Sequence, residues 1–226
     1  MSACPLCADS AAALLYIQQR GPLAQREYFL CPTCALIHVP SAFQLNSAHE
    51  KSIYDLHQNN PNDPNYRQFL TRLFEPMCER LPVGTSGLDF GSGPGPTLSR
   101  MFDESGRPCS TYDIYYDHVP ERLTKTYDFV TCTEVIEHVA APLDVFQQLV
   151  DCLKPGGYLG IMTQRWTHVD KFSGWNYRND PTHICFFHEA TFQYLATKFA
   201  LVLTIYPRDV VIFTKPQAAL GKESTA

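Results

Sequence analysis

Leu88-Asp89-Phe90-Gly91-Ser92-Gly93-Pro94-Gly95-Pro96 is the stretch whose reading decides the fold. A short apolar run, Gly87 to Phe90, feeds directly into three glycines at alternate positions, and an apolar helical stretch through Met101 and Phe102 follows. Strand, tight turn and helix in that order place a ligand beyond the carboxyl end of the first strand of a doubly wound sheet. Glycines there let the backbone turn sharply and let a cofactor approach main-chain atoms. A dinucleotide fold wants glycine again at position 96 to complete G-x-G-x-x-G, and proline stands there, so the pattern is G-x-G-x-G. Eighteen residues beyond Gly95, Asp113 falls near the end of the next apolar run, where a carboxylate accepts the two hydroxyls of a ribose.

Outward from this loop, short apolar runs alternate with helical patterns. Gly87 to Phe90, Ser110 to Ile114, Phe129 to Thr133, Tyr158 to Thr163, Leu201 to Tyr206 and Val210 to Thr214 read as strands. The expected fold is α/β, a doubly wound and mostly parallel sheet with helices on both faces. The last two strands are too close for a crossover and must form a C-terminal antiparallel hairpin at one edge. A helix is expected from Pro142 to Leu153, ended by Lys154-Pro155-Gly156-Gly157. Before the sheet, Tyr66, Phe69, Leu70, Leu73, Phe74, Met77 and Leu81 recur at three and four, one face of an amphipathic helix with a kink expected at Pro76. Residues 41–65 read as a polar, turn-rich connector around Asn59-Asn60-Pro61-Asn62-Asp63-Pro64, and 217–226 as a frayed tail.

At the front, Cys4-Pro5-Leu6-Cys7 and Cys31-Pro32-Thr33-Cys34 form two pairs among nine cysteines. Two residues between cysteines let a knuckle point both sulfurs at one ion, and two knuckles make a closed four-thiolate zinc site with no open position for a reacting water. Cys4, Cys7, Cys31 and Cys34 are therefore candidate ligands of a structural zinc, in a ribbon whose strands are Ala12 to Ile17 and Arg26 to Leu30. Two unrelated redox or core pairs are the alternative reading. Cys78, Cys109, Cys132, Cys152 and Cys185 stand singly and read as small buried hydrophobes. The 226 residues carry a formal net charge of -5, and within 1–40 Arg20 and Arg26 balance Asp9 and Glu27. A ribbon without a basic stripe lacks the term that dominates nucleic-acid affinity, which disfavours a nucleic-acid partner. No apolar run is long enough to span a bilayer, and the N-terminus shows no export pattern. A cytoplasmic location and reduced thiols are expected.

Leu88 to Gly95, together with Tyr127-Asp128-Phe129-Val130-Thr131-Cys132-Thr133-Glu134-Val135-Ile136-Glu137-His138 and Leu153-Lys154-Pro155-Gly156-Gly157, resembles the class I S-adenosylmethionine-dependent methyltransferases, especially their small-molecule branch. The likeness covers residues 86–190, where Asp180-Pro181-Thr182-His183 and Phe186-Phe187 resemble a segment after the fifth strand of that branch. The paired-cysteine front end is similar to zinc-binding domains preceding some sugar C-methyltransferases. The resemblance implies a Rossmann-like fold with S-adenosylmethionine as cofactor. Gly91, Gly93 and Gly95 would line its methionine and ribose parts, Asp113 would hold the ribose hydroxyls, and Glu134 would lie beside it. Asp89, Phe90, Ser92, Ile114 and Cys132 complete the candidate cofactor set, with Tyr66 added where, with Tyr54 and His57, N-terminal helices close over the cofactor. One departure stands out: only Tyr115 to Thr126 separate the second strand from the fourth, so the family's third strand is short or missing and its adenine-contacting acid has no counterpart.

A methyl acceptor that must lose a proton needs a base, and an imidazole titrating near pH ~6.5 suits the task. His183 and His138 are the candidate catalytic residues, against the plainer readings of a partner for Asp180 and a helix-start hydrogen-bonding group. Trp175, Tyr177, Arg178 and Phe187 are expected to shape the acceptor pocket. A small-molecule acceptor is the leading expectation. An RNA or protein acceptor docked on the ribbon, a non-catalytic cofactor-binding module and a nicotinamide oxidoreductase are the alternatives. Oligomeric state is not legible in the chain.

Overall fold

Val210 to Thr214 shows how the main core divides. Val210 and Ile212 pack into one apolar cluster and Val211 and Phe213 into another, because successive side chains of a strand point to opposite faces of its sheet. The structure, a computed structural model, describes residues 3–56 and 60–217, so His57 and residues 218–226 of the expected tail lie outside the described residues.

The first segment is antiparallel. β1 (Ala13–Ile17) pairs with β2 (Glu27–Leu30), which pairs with β3 (Ile37–His38). A connector follows, and it is not all turn: α1 (Ser47–Tyr54) starts at Asn46, whose side chain accepts from the His49 amide and caps the helix. α2 (Pro64–Cys78) has Pro64 in its first turn, Asp63 as its cap, and continues through Pro76 rather than to Leu81.

The large sheet contains β4 (Gly87–Phe90), β5 (Cys109–Tyr112), β6 (Tyr127–Thr133) and β7 (Leu153–Met162), with β9 (Val202–Ile205) and β10 (Val210–Thr214) at the far side. The order is β5-β4-β6-β7-β10-β9; the first four strands are parallel, and β10 runs antiparallel to both β7 and β9. This is the doubly wound, mostly parallel sheet with an antiparallel edge hairpin that the pattern predicted. Between β5 and β6 the described residues hold only a short 3-10 turn, Pro120–Thr124, and no strand. α2 and α3 (Thr97–Glu104) cover one face through Leu73, Met77, Leu98 and Phe102. The other face is covered by α4 (Pro142–Asp151) and α5 (Glu189–Lys198) through Phe146, Leu149, Phe192 and Leu195.

α4 ends two residues before the expected Leu153. Lys154-Pro155-Gly156-Gly157 belongs to β7, in a stretch where register slips between Tyr127 and Phe129 and Gly156 adopts a left-handed φ of +79°. Gly156 and Gly157 there exchange backbone hydrogen bonds with Lys215, which closes the sheet behind the helix.

The ribbon does not close on itself. β8 (Cys185–Phe186), which follows the large sheet's β7 in sequence, adds to β3 with Ile37 opposite Phe186 and His38 opposite Cys185. Tyr28 of the ribbon packs against Phe172 and Phe186, so the two sheets share one apolar cluster. Among the described residues no helix is long and apolar enough to cross a membrane.

Gly87 marks the tightest point of the main core. A Cβ there would sit 2.1 Å from Cζ of Phe129, itself packed against Phe102 at a centroid distance of 4.5 Å. Gly87→Ala is expected to destabilise the fold by about 2–3 kcal/mol through overpacking, seen as a lower urea midpoint with unchanged slope.

Candidate active site

β4 delivers the chain to Gly91 and Gly93, both in the left-handed region at φ +75° and +66°. The Gly91 amide donates to the Tyr112 carbonyl at 2.7 Å, and the Gly93 amide donates to Oδ2 of Asp113 at 2.9 Å. Oδ1 of Asp113 accepts from the amides of Tyr115 and Tyr116 at 2.8 and 3.1 Å. One carboxylate thus ties the glycine loop of β4 to the turn after β5. Above it opens a cleft of about 1070 Å³.

Of the residues singled out for the cofactor, Tyr66, Phe90, Gly91, Ser92, Gly93, Asp113, Ile114 and Glu134 line this cleft. Asp89, Gly95 and Cys132 do not. Cys132 is fully buried in β6, pointing into the core beneath the sheet, which fits the reading of a small hydrophobe. Asp89 lies under the loop, accepting from Thr131 Oγ1 at 2.8 Å and from the Ser99 amide at the start of α3. It braces the loop from below. Burial pushes its carboxyl up to about 6. The folded state therefore holds this proton more tightly than the unfolded chain, and the stability it contributes at low pH is lost as pH rises from about 4 through about 6. Asp89→Asn removes that dependence: urea unfolding of both proteins should show the variant gaining about 2–3 kcal/mol on the native chain between pH 4 and pH 7.

Beside the glycine loop, the lining of the cleft continues in the turn after β6. Glu134 has a left-handed φ of +52°, and its amide donates to the Met162 carbonyl at 2.8 Å. The short 3-10 turn Ile136–His138 then carries Glu137 into the interior and His138 to the cleft. Tyr177 reaches the same place from the segment after β7; its hydroxyl donates in a short hydrogen bond to Oε1 of Glu137 and lies 3.1 Å from Thr163 Oγ1 and 3.4 Å from Oε2 of Glu134. Burial raises both carboxyls, Glu134 to about 9 with the facing Glu137 adding to the shift. Burial and these two carboxyls also hold the Tyr177 phenol protonated, consistent with its donating.

His138 and His183 meet in this wall with ring centroids 4.7 Å apart. Nδ1 of His138 lies 3.2 Å from the Thr182 carbonyl and Nδ1 of His183 lies 2.7 Å from the Tyr177 carbonyl. A carbonyl only accepts, so both Nδ1 atoms carry a proton. Burial lowers His183, which keeps its ring neutral around pH 7. Its expected pairing with Asp180 is loose, Nε2 to Oδ2 at 3.9 Å. Trp175, Tyr177, Arg178 and Phe187 do not line the cleft. Trp175, Tyr177 and Arg178 back its wall: Trp175 and Tyr177 pack ring to ring at 5.0 Å, and Arg178 is buried with its guanidinium on the carbonyls of Phe172 and Ser173, whereas Phe187 stacks on Phe192 at 5.2 Å.

Two sets of residues escaped the reading of the sequence. α1 roofs the cleft with Ser47 and Glu50, which the sequence reading missed, beside Tyr54, which the resemblance places in helices over the cofactor; Glu50 accepts from the hydroxyls of Tyr54 and Tyr115, both at 2.8 Å. Asn46 followed by a helical Glu50 was the available signal, a cap with an acid in the first turn. The second set is Arg26, buried at the ribbon's second strand, which donates to the carbonyls of Asp180 and His183 at 3.2 and 2.5 Å. Tyr28 adds a bond from its hydroxyl to the Arg178 carbonyl at 3.2 Å. Ribbon side chains therefore hold the backbone that presents His183.

The four paired cysteines converge. Each offers a sulfur within 4.8 Å of the others, with Sγ of Cys4 3.5 Å from that of Cys34 and Sγ of Cys7 3.4 Å from that of Cys31. The two knuckles are built alike: Ala8 and Ala35 both sit in the left-handed region, at φ +61° and +57°, and each donates its amide to the carbonyl of the first cysteine of its pair. Donation from Cys34 draws the Cys4 thiol down to about 5, while burial pushes Cys7 up to about 12, so the four sulfurs do not all ionise against one another without a cation.

The family profile described as "Methyltransferase domain" matches residues 60–204. The Ubiquinone biosynthesis O-methyltransferase of Vibrio cholerae is 31% identical over 123 residues, 48% of this chain and 50% of that protein. Its counterpart in Aliivibrio fischeri is 36% identical over 78 residues, 34% of this chain and 33% of that protein. The chain thus spans half or less of the curated relatives it matches. Among solved structures, the Burkholderia thailandensis 1,6-didemethyltoxoflavin-N1-methyltransferase with bound 1,6-didemethyltoxoflavin and S-adenosylhomocysteine superposes with a TM-score of 0.51 at 12% identity, over 88% of this chain and 99% of that one. At that identity the likeness is one of fold.

Proposed function

The chain belongs to the methyltransferase family, and from that premise we propose that it transfers a methyl group from S-adenosylmethionine to a small-molecule acceptor. The observation that carries this reading is one continuous cleft, with the glycine loop and Asp113 on one side and His138 and His183 on the other. When bound, the cofactor supplies an electrophilic methyl on a sulfonium, a group that leaves as a neutral thioether. The chain's own task is alignment and exclusion of water. Gly91 and Gly93 give a ligand close access to main chain, and Asp113, already fixed by three amides, turns its carboxylate to the ribose hydroxyls. Phe90, Ser92, Ile114, Glu134 and Tyr66 complete the cofactor wall. The acceptor lies against His138 and His183, which activate its nucleophilic atom.

The sulfur geometry fits a tetrahedral zinc ion held by Cys4, Cys7, Cys31 and Cys34, structural because no ligand position is left for substrate. Residues 1–40 then serve as a ribbon that braces the acceptor wall, 41–82 as the roof of the cleft, and 83–216 as the catalytic fold. A cytoplasmic site, with its reduced thiols, belongs to this reading.

The small-acceptor assignment draws support from the V. cholerae relative's name and from the roof that α1 makes over the cleft. The test is calorimetric titration with S-adenosylhomocysteine, followed by labelled-methyl transfer to a metabolite extract with mass identification of the product. Absence of cofactor binding defeats the reading; transfer to RNA but to no metabolite would move the acceptor to the macromolecular class.

A further inference from the structure

Between β5 and β6 the described residues hold the turn Pro120–Thr124 in place of a third strand, and Leu123 of that turn lines the cleft. The turn lies against β5, with Arg122 donating to the Thr111 carbonyl at 2.6 Å. Val145 and Gln148, three residues apart on one face of α4, line the cleft as well. Gln148 is half-buried, and its Nε2 donates to the Leu123 carbonyl at 2.9 Å and to Sγ of Cys152 at 3.6 Å. A carbonyl only accepts, so the end of the amide that faces Leu123 is its NH2 group. Both of its hydrogens are taken there, and among the described residues no hydrogen bond engages Oε1. What this side chain has left for a ligand is an acceptor.

We propose that Gln148 Oε1 accepts from the exocyclic amino group of the cofactor's adenine, with Leu123 and Val145 as the apolar walls of the base pocket. The covalent layout of the nucleoside decides which part of the cleft takes the base. The 2′ and 3′ hydroxyls stand on one edge of the ribose; the base leaves from C1′ and the methionine chain from C4′ through C5′, so the two depart to opposite sides of a ribose held by its hydroxyls. With those hydroxyls at Asp113 and the chain running to Gly91 and Gly93, the base is carried to the other side of Asp113, where the turn beside β5 meets α4. Asp144 lines the cleft one turn before Gln148, but it is exposed, and no hydrogen bond to Leu123 orients it. Gln148 is the acceptor whose direction the fold fixes, and being uncharged it reads the amino group by hydrogen bonding alone. This rests on the reading of the cleft as an S-adenosylmethionine site and adds the residue that tells adenine from other purines.

The experiment is calorimetric titration of the full chain with S-adenosylhomocysteine and with S-inosylhomocysteine, which carries a carbonyl oxygen where adenine carries its amino group and so sets acceptor against acceptor. The native chain should bind the inosine compound roughly 10–100-fold more weakly. Gln148→Met keeps the bulk and removes the acceptor; it should bind S-adenosylhomocysteine about tenfold more weakly and the inosine compound as the native chain does, so that the preference shrinks by about tenfold. Loss of the bond to Leu123 by itself would weaken both ligands alike, and the ratio separates that structural effect from recognition. Asp144→Ala should keep the native ratio. Equal binding of the two ligands by the native chain, an unchanged ratio in Gln148→Met, or a ratio lost in Asp144→Ala overturns the proposal. In each of those cases S-adenosylhomocysteine still binds and the methyltransferase reading stands; if it does not bind the native chain, that reading falls and the proposal falls with it.

Discussion

Cys31→Ser should abolish the zinc binding proposed for the ribbon, lower the thermal midpoint by about 10 °C or more, and reduce methyl transfer at least tenfold while changing S-adenosylhomocysteine affinity far less. Cys31 is buried, and its carbonyl accepts the Ala35 amide that shapes the second knuckle, so serine removes a thiolate from a site with no spare ligand. Structural zinc supplies on the order of 10 kcal/mol to the folding of small zinc modules. Loss of even about 4 kcal/mol corresponds to the stated shift for a chain of this length. The split between transfer and cofactor binding follows from where the ribbon touches the rest. β3 pairs with β8, Arg26 holds the carbonyls of Asp180 and His183, and Tyr28 holds that of Arg178. None of these bonds reaches the glycine loop or Asp113. Calorimetry beside single-turnover transfer reads the two effects apart, and a variant with native thermal midpoint and native rate would mean that the cysteines carry no structural metal.

The contrast between ribbon and glycine loop also explains which parts of this molecule can be read from its sequence. The strands of the large sheet are legible because each is a short apolar run bounded by turns, and Gly87–Phe90 falls on its predicted bounds. Local pattern suffices there, since burial on both faces of a parallel strand demands it. The end of α4 was misplaced because Lys154-Pro155-Gly156-Gly157 reads as a helix stop, whereas register with β6 and the bonds to Lys215 draw it into β7. α1 escaped because its apolar face is weak; the tyrosines of the turn after β5 hold it through Glu50 and Asp55. β8 has two residues and exists only because β3 lies beside it. In the charge balance of residues 1–40 Arg26 is one of two cations set against Asp9 and Glu27, and only the fold reveals that it is buried against carbonyls 154 and 157 residues away. Residues whose role depends on a local turn, such as Gly91 and Gly93, are visible in one dimension. Those whose role is to join distant segments are not.

Gly91→Ala should weaken S-adenosylhomocysteine binding by about 100-fold and lower the thermal midpoint by about 6–12 °C. Two costs add. The residue sits at φ +75°, where an L side chain strains the backbone by about 1 kcal/mol. The new Cβ would also lie 2.3 Å from Cγ2 of Val135, a stiff branched side chain next to Glu134 in the adjoining turn after β6. Relieving that overlap costs about 1–3 kcal/mol. The loop and the turn after β6 must separate, which moves Gly93 away from Asp113 and opens the place where the cofactor is gripped; about 3 kcal/mol in total is roughly a hundredfold in affinity. Gly84→Ala isolates the first cost from the second. Gly84 has φ +89° with nothing within 4 Å of its would-be Cβ, and it lies at the turn after α2, outside the cleft lining. That variant should lose about 1 kcal/mol of stability and bind S-adenosylhomocysteine as the native chain does. If calorimetry finds both variants binding equally well, close contact between the glycine loop and the turn after β6 is not what builds the cofactor site.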